Sequence, residues 1–547
     1  GPPPGKGGKG PAPAGYMGPP PGTGGKEPAP AGPNSATKGI GKSSKGEGSV
    51  PDWKARRDTA EAARRTWESL LVRNLPTGSL SEPRWDTTFA LQQPESGMTG
   101  LVLFFATLAG SFCVKGLPSS DQANMGGPAE YCACRINDRL GVPGPKVRTV
   151  YRGDSEFGDI WAAVRRMELR AEKLGLSRTN RESLFERQGL SLMVCEMVSN
   201  AVMFAGLPAA TARSLLEPPS DSPMASGDPA SWASATQVAF ERCSHVTAAV
   251  QQDPPIVEES LSEEAQAATK VRLQTLGRCH MADVLLHNRD RFACPLFLLG
   301  TRGCTAAPAS LELYQEYLGK DLDLSSFESE ELITHVLLGN PDNVLLQDVQ
   351  QPALAGLSFI DNVAGEALEL SWLRDYLVSY MQEASQGDGP VAAPVAHLEF
   401  LRLVIRVTSG HVLSDAALRE VRLGSLHLIR QVVAGDEGDG SSFSSWLDGF
   451  LRDMETVESA NGLQPWAAQA RPWLFNSLGV FRTVAQKHAG LLAALPPFAS
   501  ATPRTRGAIS EDELLNEADG LRANLALWVS LSPEVRAEIS KGGSSGM

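Results

Sequence analysis

HMADVLLHNRDRF (residues 280–292), GNPDNVLL (339–346) and LSFIDN (357–362) are the segments on which the reading of this chain turns. The first begins as an apolar helical run and ends in a polar crowd of Asp283, Asn288, Asp290 and Arg291. Asp290, inside Asn-Arg-Asp-Arg, is a carboxylate beside two cations, a setting that keeps it ionised near neutral pH. The second places Asn343 directly before a short apolar strand, with Asn340 as its nearest competitor. The third is another short strand, ending in Asp361. Each residue alone reads equally well as a turn former or a helix cap. In this order they offer a carboxylate able to take a proton and two oxygen ligands suited to a hard divalent cation.

Upstream, GLVLFFATLAGSFCVKG (100–116) reads as a hairpin: one strand to Thr107, a tight turn around Ala109 and Gly110, and a second strand through Val114. Strand alternation sets Phe112 and Val114 on one face and Cys113 and Lys115 on the other. Lys115, at the strand end before Gly116, is placed to point into a cleft. The turn offers backbone N–H groups at Gly110 and Ser111 for phosphate. The plain alternative for Lys115 is a solvated side chain. In GPAEYCACRINDRLGV (127–142) a helix is expected from near Pro128, with Tyr131, Cys134, Ile136 and Leu140 as its apolar stripe. Glu130 falls in the expected first turn, within reach of Lys115; favourable interaction with the helix dipole is the competing explanation.

Composition bounds the rest. The chain has 547 residues and a net charge of −13, which argues against nucleic acid as a partner, because phosphate backbones demand clustered Lys and Arg. Eight cysteines show no disulfide-framework spacing and read as buried, reduced thiols of a cytoplasmic protein. The Cys132-x-Cys134 pair lacks the partners that would complete a zinc site. No signal peptide is visible, and no apolar run is long enough to span a bilayer; Leu101 to Val114 is interrupted by Gly110. Beginning with Gly, the chain reads as a fragment or a processed product.

Residues 1–50 form a Gly/Pro/Lys-rich tail with two imperfect copies of GPPPG…PAPAG, too poor in apolar surface to fold and expected to be disordered. From 51 to about 385 a β-rich part (about 80–190) is followed by a larger, mostly helical part (about 199–385) carrying an insertion at about 294–338. The run LSLMVCEMVS (190–199) joins them. From 390 to 547 the chain is strongly helical, with apolar residues three and four apart. These last helices either complete the larger lobe or form a separate partner-binding bundle. The expected fold class is α+β: a bilobal arrangement with a small β-rich lobe and a large helical lobe.

DVLLHNRDRF, GNPDNVLL and FIDN resemble the catalytic segments of the actin-fragmin kinase catalytic domain family, which belongs with the atypical, phosphatidylinositol-kinase-like protein kinases. FCVKG, AEYCACRINDRLGVPGPKVRTV and LSLMVCEMV also resemble that family's pattern, so the likeness covers roughly residues 80 to 380. The resemblance implies a protein-kinase-like fold and an ATP- and Mg2+-dependent serine/threonine kinase. It makes Asp290 the catalytic base, with Arg291 beside it. Lys115 holds phosphates with Glu130 as its partner. Glu196, Met197 and Val198 become the hinge that meets adenine, and Asn343 and Asp361 the Mg2+ ligands. Actin as the protein substrate rests on the resemblance alone, since no kelch repeat is present. Two other readings remain: a phosphatidylinositol 4-kinase-like lipid kinase, and a nucleotide-binding scaffold without turnover. The first calls for a palmitoylated cysteine cluster or a basic membrane face, and neither is evident.

Overall fold

The computed structural model describes residues 78–92, 101–116, 126–173, 191–198, 201–204, 207–218, 262–288, 291–292, 340–349, 351–362, 364–365, 369–393, 395–434, 442–463 and 465–499. The expected tail at 1–50, the 294–338 insertion and residues 500–547 lie outside them. The architecture is mixed α+β.

Five strands build an antiparallel sheet: β1 (Ala90–Gln92), β2 (Leu101–Thr107), β3 (Gly110–Gly116), β4 (Val147–Tyr151) and β5 (Ser191–Glu196), in the order β1-β2-β3-β5-β4. The hairpin expected at 100–116 is present, with Thr107 opposite Gly110 and Val102 opposite Lys115. Its tight turn is made possible by Gly110 at φ 117°, a conformation that costs glycine nothing. Alternation divides the two faces as the sequence implies. Phe105, Phe112, Val114, Leu192 and Val194 pack with Trp85 and the helix α2 (Ser155–Lys173). The Trp85 ring lies 5.1 Å from Phe105 and 5.2 Å from Phe112, and its indole N–H donates to Glu156 at 2.7 Å. The opposite face carries Cys113, Met193 and Cys195, packed with Val147 and with Cys134 of the helix α1 (Gly126–Arg139).

A second antiparallel sheet has three short strands, β6 (Ala201–Met203), β7 (Val344–Gln347) and β8 (Gly356–Phe359), in that order. Beside it run α3 (Ala209–Leu216) and the long α4 (Glu263–Leu286), capped by Ser262, whose hydroxyl accepts from the Ala265 N–H at 3.3 Å. Helix α4 is buried on nearly every side. Arg272, itself buried, donates to Leu215 O, Pro352 O and Ala355 O, tying α4 to α3 and to the segment before β8.

Among the described residues the C-terminal helices do not have a core of their own. α5 (Leu370–Ala384), α6 (Glu399–Ser409), α7 (Asp415–Ala434), α8 (Phe443–Ala460) and α9 (Trp466–Lys487) share one continuous apolar core with α4, β7 and β8. Among the described residues, those from 395 to 495 pack into the core of the preceding helical part. α4 and α7 cross with their backbones in close approach. There a β-carbon on Gly277 would collide with the Val421 carbonyl oxygen, and one on Gly424 with the Gln274 carbonyl oxygen. Ser425 Oγ donates to Gly277 O at 2.9 Å across the same contact. Among the described residues no helix is long and apolar enough to cross a membrane.

Candidate functional site

Two of the residues singled out from the sequence, Glu130 and Asp361, meet at Lys115. It ends β3 on the face turned to α1, and its ammonium contacts two carboxylates: Glu130 Oε1 at 2.5 Å and Asp361 Oδ1. Burial alone pulls the Lys115 ammonium down, but Glu130 and Asp361 outweigh it and hold the group well above the ordinary lysine value. Lys115 and Glu130 are largely withdrawn from solvent, whereas the Asp361 side chain is 42% exposed. One cation thus links the five-stranded sheet, α1 and the end of β8.

Glu130 reaches Lys115 from a different helical position than expected. Helix α1 starts at Gly126, because the two glycines before Pro128 already adopt helical geometry, so Glu130 lies beyond the first turn. Attraction to the helix N-terminus fades within that turn, which removes the competing explanation for this residue.

Asp361 follows β8 with φ 47°, in the left-handed region uncommon for a residue with a β-carbon. The next residue holds it there. Asn362 is buried; its amide N–H donates to Phe359 O at 2.8 Å, and its Oδ1 accepts from Asn137 of α1 at 2.8 Å and from Arg291 at 2.6 Å. Asn343 stands at the matching end of β7: the Ile360 N–H donates to Asn343 O at 3.0 Å, directly beyond the Val344–Phe359 pair. Strand register therefore puts Asn343 next to the Asp361 turn. A carboxylate and an amide on adjacent strand ends form an oxygen-only donor set. That chemistry fits Mg2+, which keeps much of its water and takes one or two protein oxygens.

Asp290 lies outside the described residues, but both flanks are fixed. Asn288 Nδ2 and Arg291 Nη1 converge on Asp283 Oδ1 at 3.0 and 2.5 Å, and the Asn288 N–H donates to Asp283 O at 2.9 Å. Asp283 is buried on the last turn of α4. His287 closes that helix at φ 55°, with its ring stacked 4.9 Å from Trp473 and Nε2 3.0 Å from Ser477 Oγ. His280 is buried against Tyr376, and burial lowers its pKa to about 3. These histidines pack the segment, as their spacing around Asp283 suggests.

Some of the residues singled out sit differently. Arg291, expected beside Asp290, has a fully buried side chain whose guanidinium donates to Asp283, Asn362 and Cys279. Burial opposes its charge, yet Asp283 raises its pKa above the ordinary guanidinium value. It is an anchor. Gly110 and Ser111 are not beside Lys115, because they begin β3 and Lys115 ends it, roughly 16 Å along an extended strand. The strand end facing Lys115 is the start of β2, and the β1–β2 connection that leads into it, 93–100, lies outside the described residues.

Glu196 ends β5, and Met197 and Val198 follow it. The Glu196 N–H donates to Lys146 O at 2.9 Å, and its carboxylate accepts from the Lys146 N–H at 3.1 Å. The Glu196 side chain is thus committed to the lead into β4. Met197 packs against the Cys113–Cys195 face, on the same side of the sheet as Lys115. Cys132 and Cys134 point into different clusters, the helical core and the sheet face, so they share no common ligand point.

Asn137 and Asn362 went unrecognised in the sequence. The only signal was the Asn directly after Asp361, and its pairing with Arg291 and Asn137 spans separations that no local pattern encodes. Comparison with protein-family models and with curated protein sequences finds no match.

Proposed function

We propose that this chain is an ATP- and Mg2+-dependent phosphotransferase, a serine/threonine protein kinase of the actin-fragmin kinase type. The observation that carries the reading is the convergence of Lys115, Glu130 and Asp361 on one point, with Asn343 at the adjoining strand end. Phosphoryl transfer needs little covalent chemistry from a protein; it needs placement and charge. Lys115, kept protonated and oriented by Glu130, is the group to hold phosphate oxygens. Asp361 and Asn343 are the residues to hold Mg2+, which when bound neutralises phosphate charge and orients the transferred group. Met197 and Val198 offer backbone groups to adenine at the end of β5. Asp290, carried between the anchored residues Asn288 and Arg291, is the base that orients the acceptor hydroxyl. The buried bonds of Arg291 to Asp283 and Asn362 serve this by joining the residue after Asp290 to the residue after Asp361.

The test is incubation of the full chain with Mg2+ and radiolabelled ATP, offering actin, a mixed protein extract and phosphatidylinositol vesicles, with Asp290→Asn in parallel. Label on protein, absent in the variant, supports the proposal. Label on lipid moves the chain to the lipid kinases. ATP binding by thermal shift with no label anywhere makes it a nucleotide-binding scaffold.

A further inference from the structure

Cys113 on β3 and Cys195 on β5 are direct register partners in the antiparallel sheet, and both are free, buried thiols. They lie in one small cluster with Cys134, Val147 and Met193, on the face that also carries Lys115 two residues along the strand. Directly opposed residues of an antiparallel pair have Cα atoms about 4.5 or 5.5 Å apart. Both spacings fall inside the roughly 4.4–6.8 Å range that a disulfide spans. The register thus places the two Cα atoms within the separation that a disulfide bridges. Cys134, the third thiol of the cluster, is held from α1 and accepts from Asn362 Nδ2 at 3.6 Å.

We propose that Cys113 and Cys195 form a reversible thiol–disulfide site, oxidised by small hydroperoxides, that links the strand of Lys115 to the strand leading to Glu196. The proposal does not rest on the phosphotransfer reading. Cys113, 8% exposed against 4% for Cys195, is the attacking sulfur. A hydrogen bond donated by the Cys195 S–H to Cys113, then burial, raises the Cys195 thiol well above its usual value, so Cys195 keeps its proton and is the resolving partner. In the first step the Cys113 sulfur attacks the terminal peroxide oxygen; the S–O bond forms as the O–O bond breaks, giving a sulfenic acid, and the leaving oxygen takes the Cys113 proton to depart as an alcohol, or as water from hydrogen peroxide. In the second, the Cys195 sulfur attacks that sulfenic sulfur, the S–OH bond breaks, and the hydroxyl leaves as water with the Cys195 proton. Two thiols lose two electrons, and the peroxide gains them.

The full chain is treated with hydrogen peroxide, alkylated in denaturant and mapped by mass spectrometry without reduction. The expected product is a peptide joining Cys113 to Cys195, two hydrogens lighter than its parts, which dithiothreitol converts back. Cys195→Ser stops at the first step and leaves a sulfenic acid on Cys113 that dimedone traps. Full alkylation of both cysteines after peroxide, or linkage of Cys113 to a different cysteine, overturns the proposal. Should Cys195→Ser fail to fold, the map of the unaltered chain decides by itself.

Discussion

Asn362 Oδ1 accepts from the Arg291 guanidinium at 2.6 Å, one residue beyond Asp361 and one beyond Asp290. The two carboxylates assigned the central roles are therefore neighbours of two side chains bonded directly to each other. Since Arg291 is also fastened to Asp283 and Asn362 to Asn137, the arrangement extends from α4 through the β8 turn to α1, the helix of Glu130.

Removing Arg291 should act first on stability. Arg291→Met leaves the Asp283 carboxylate buried without its cation, a loss of about 3–5 kcal/mol. Arg291→Lys recovers little, because an ammonium cannot serve Asp283 and Asn362 as a planar fork does. Urea unfolding monitored by circular dichroism measures both. The double change Asp283→Asn, Arg291→Met should be more stable than Arg291→Met alone, since no unpaired charge remains buried.

Glu130→Gln keeps the shape of the side chain and deletes one of the two charges on Lys115. ATP-dependent labelling should fall by on the order of 10²-fold, comparable to losing a charge-positioning group at a reaction centre. The melting temperature should move by only a few degrees. Labelling at the unaltered rate would remove Glu130 from the proposed machinery.

The helix glycines separate packing from propensity. Gly449→Ala, in α8 with open space at its β-carbon, should stabilise by up to about 1 kcal/mol. Gly277→Ala, whose β-carbon would meet the Val421 backbone, should destabilise by about 1–3 kcal/mol despite the same gain in helix propensity. Thermal unfolding of the two variants side by side checks the sign of each.

Burial raises the Glu458 pKa to about 7, although the Ala467 N–H donates to its carboxylate at 3.1 Å. A carboxyl that holds its proton more tightly folded than unfolded favours the fold most below the unfolded pKa of 4.5. That contribution is lost as pH rises through about 7. Glu399, raised to about 7 by burial, acts in the same sense. His280 acts oppositely: lowered from 6.5 to about 3, it weakens the fold as pH falls below 6.5. Glu458→Gln should therefore stabilise at pH 8 by about 1–2 kcal/mol and leave stability at pH 4.5 nearly unchanged. Denaturation midpoints across that range give the answer.

Local pattern was enough for the hairpin at 100–116, its turn at Gly110, the two-faced alternation that separates Phe112 and Val114 from Cys113 and Lys115, and the short strands before and at the candidate site. These features depend on neighbours two to four residues apart, and that is the range over which alternation and turn chemistry operate. The pairing of Lys115 with Glu130 was also within reach, because a strand-end lysine and an early-helix glutamate lie close in sequence. The role of Arg291 was not. Seen in the sequence, it is a cation next to Asp290; whether a guanidinium faces solvent or the interior depends on Asp283 and Asn362, and only packing of α4 against the β8 turn puts them around it. The fate of the C-terminal helices was likewise open, since amphipathic periodicity says that a helix has an apolar face and not which surface covers it. Gly277 and Gly424 settle that by letting α4 and α7 touch through their backbones. Sequence alone thus fixed the residue types and the local elements; the tertiary structure decided which charges neutralise one another, because Coulomb attraction and burial depend on distance in space, not along the chain.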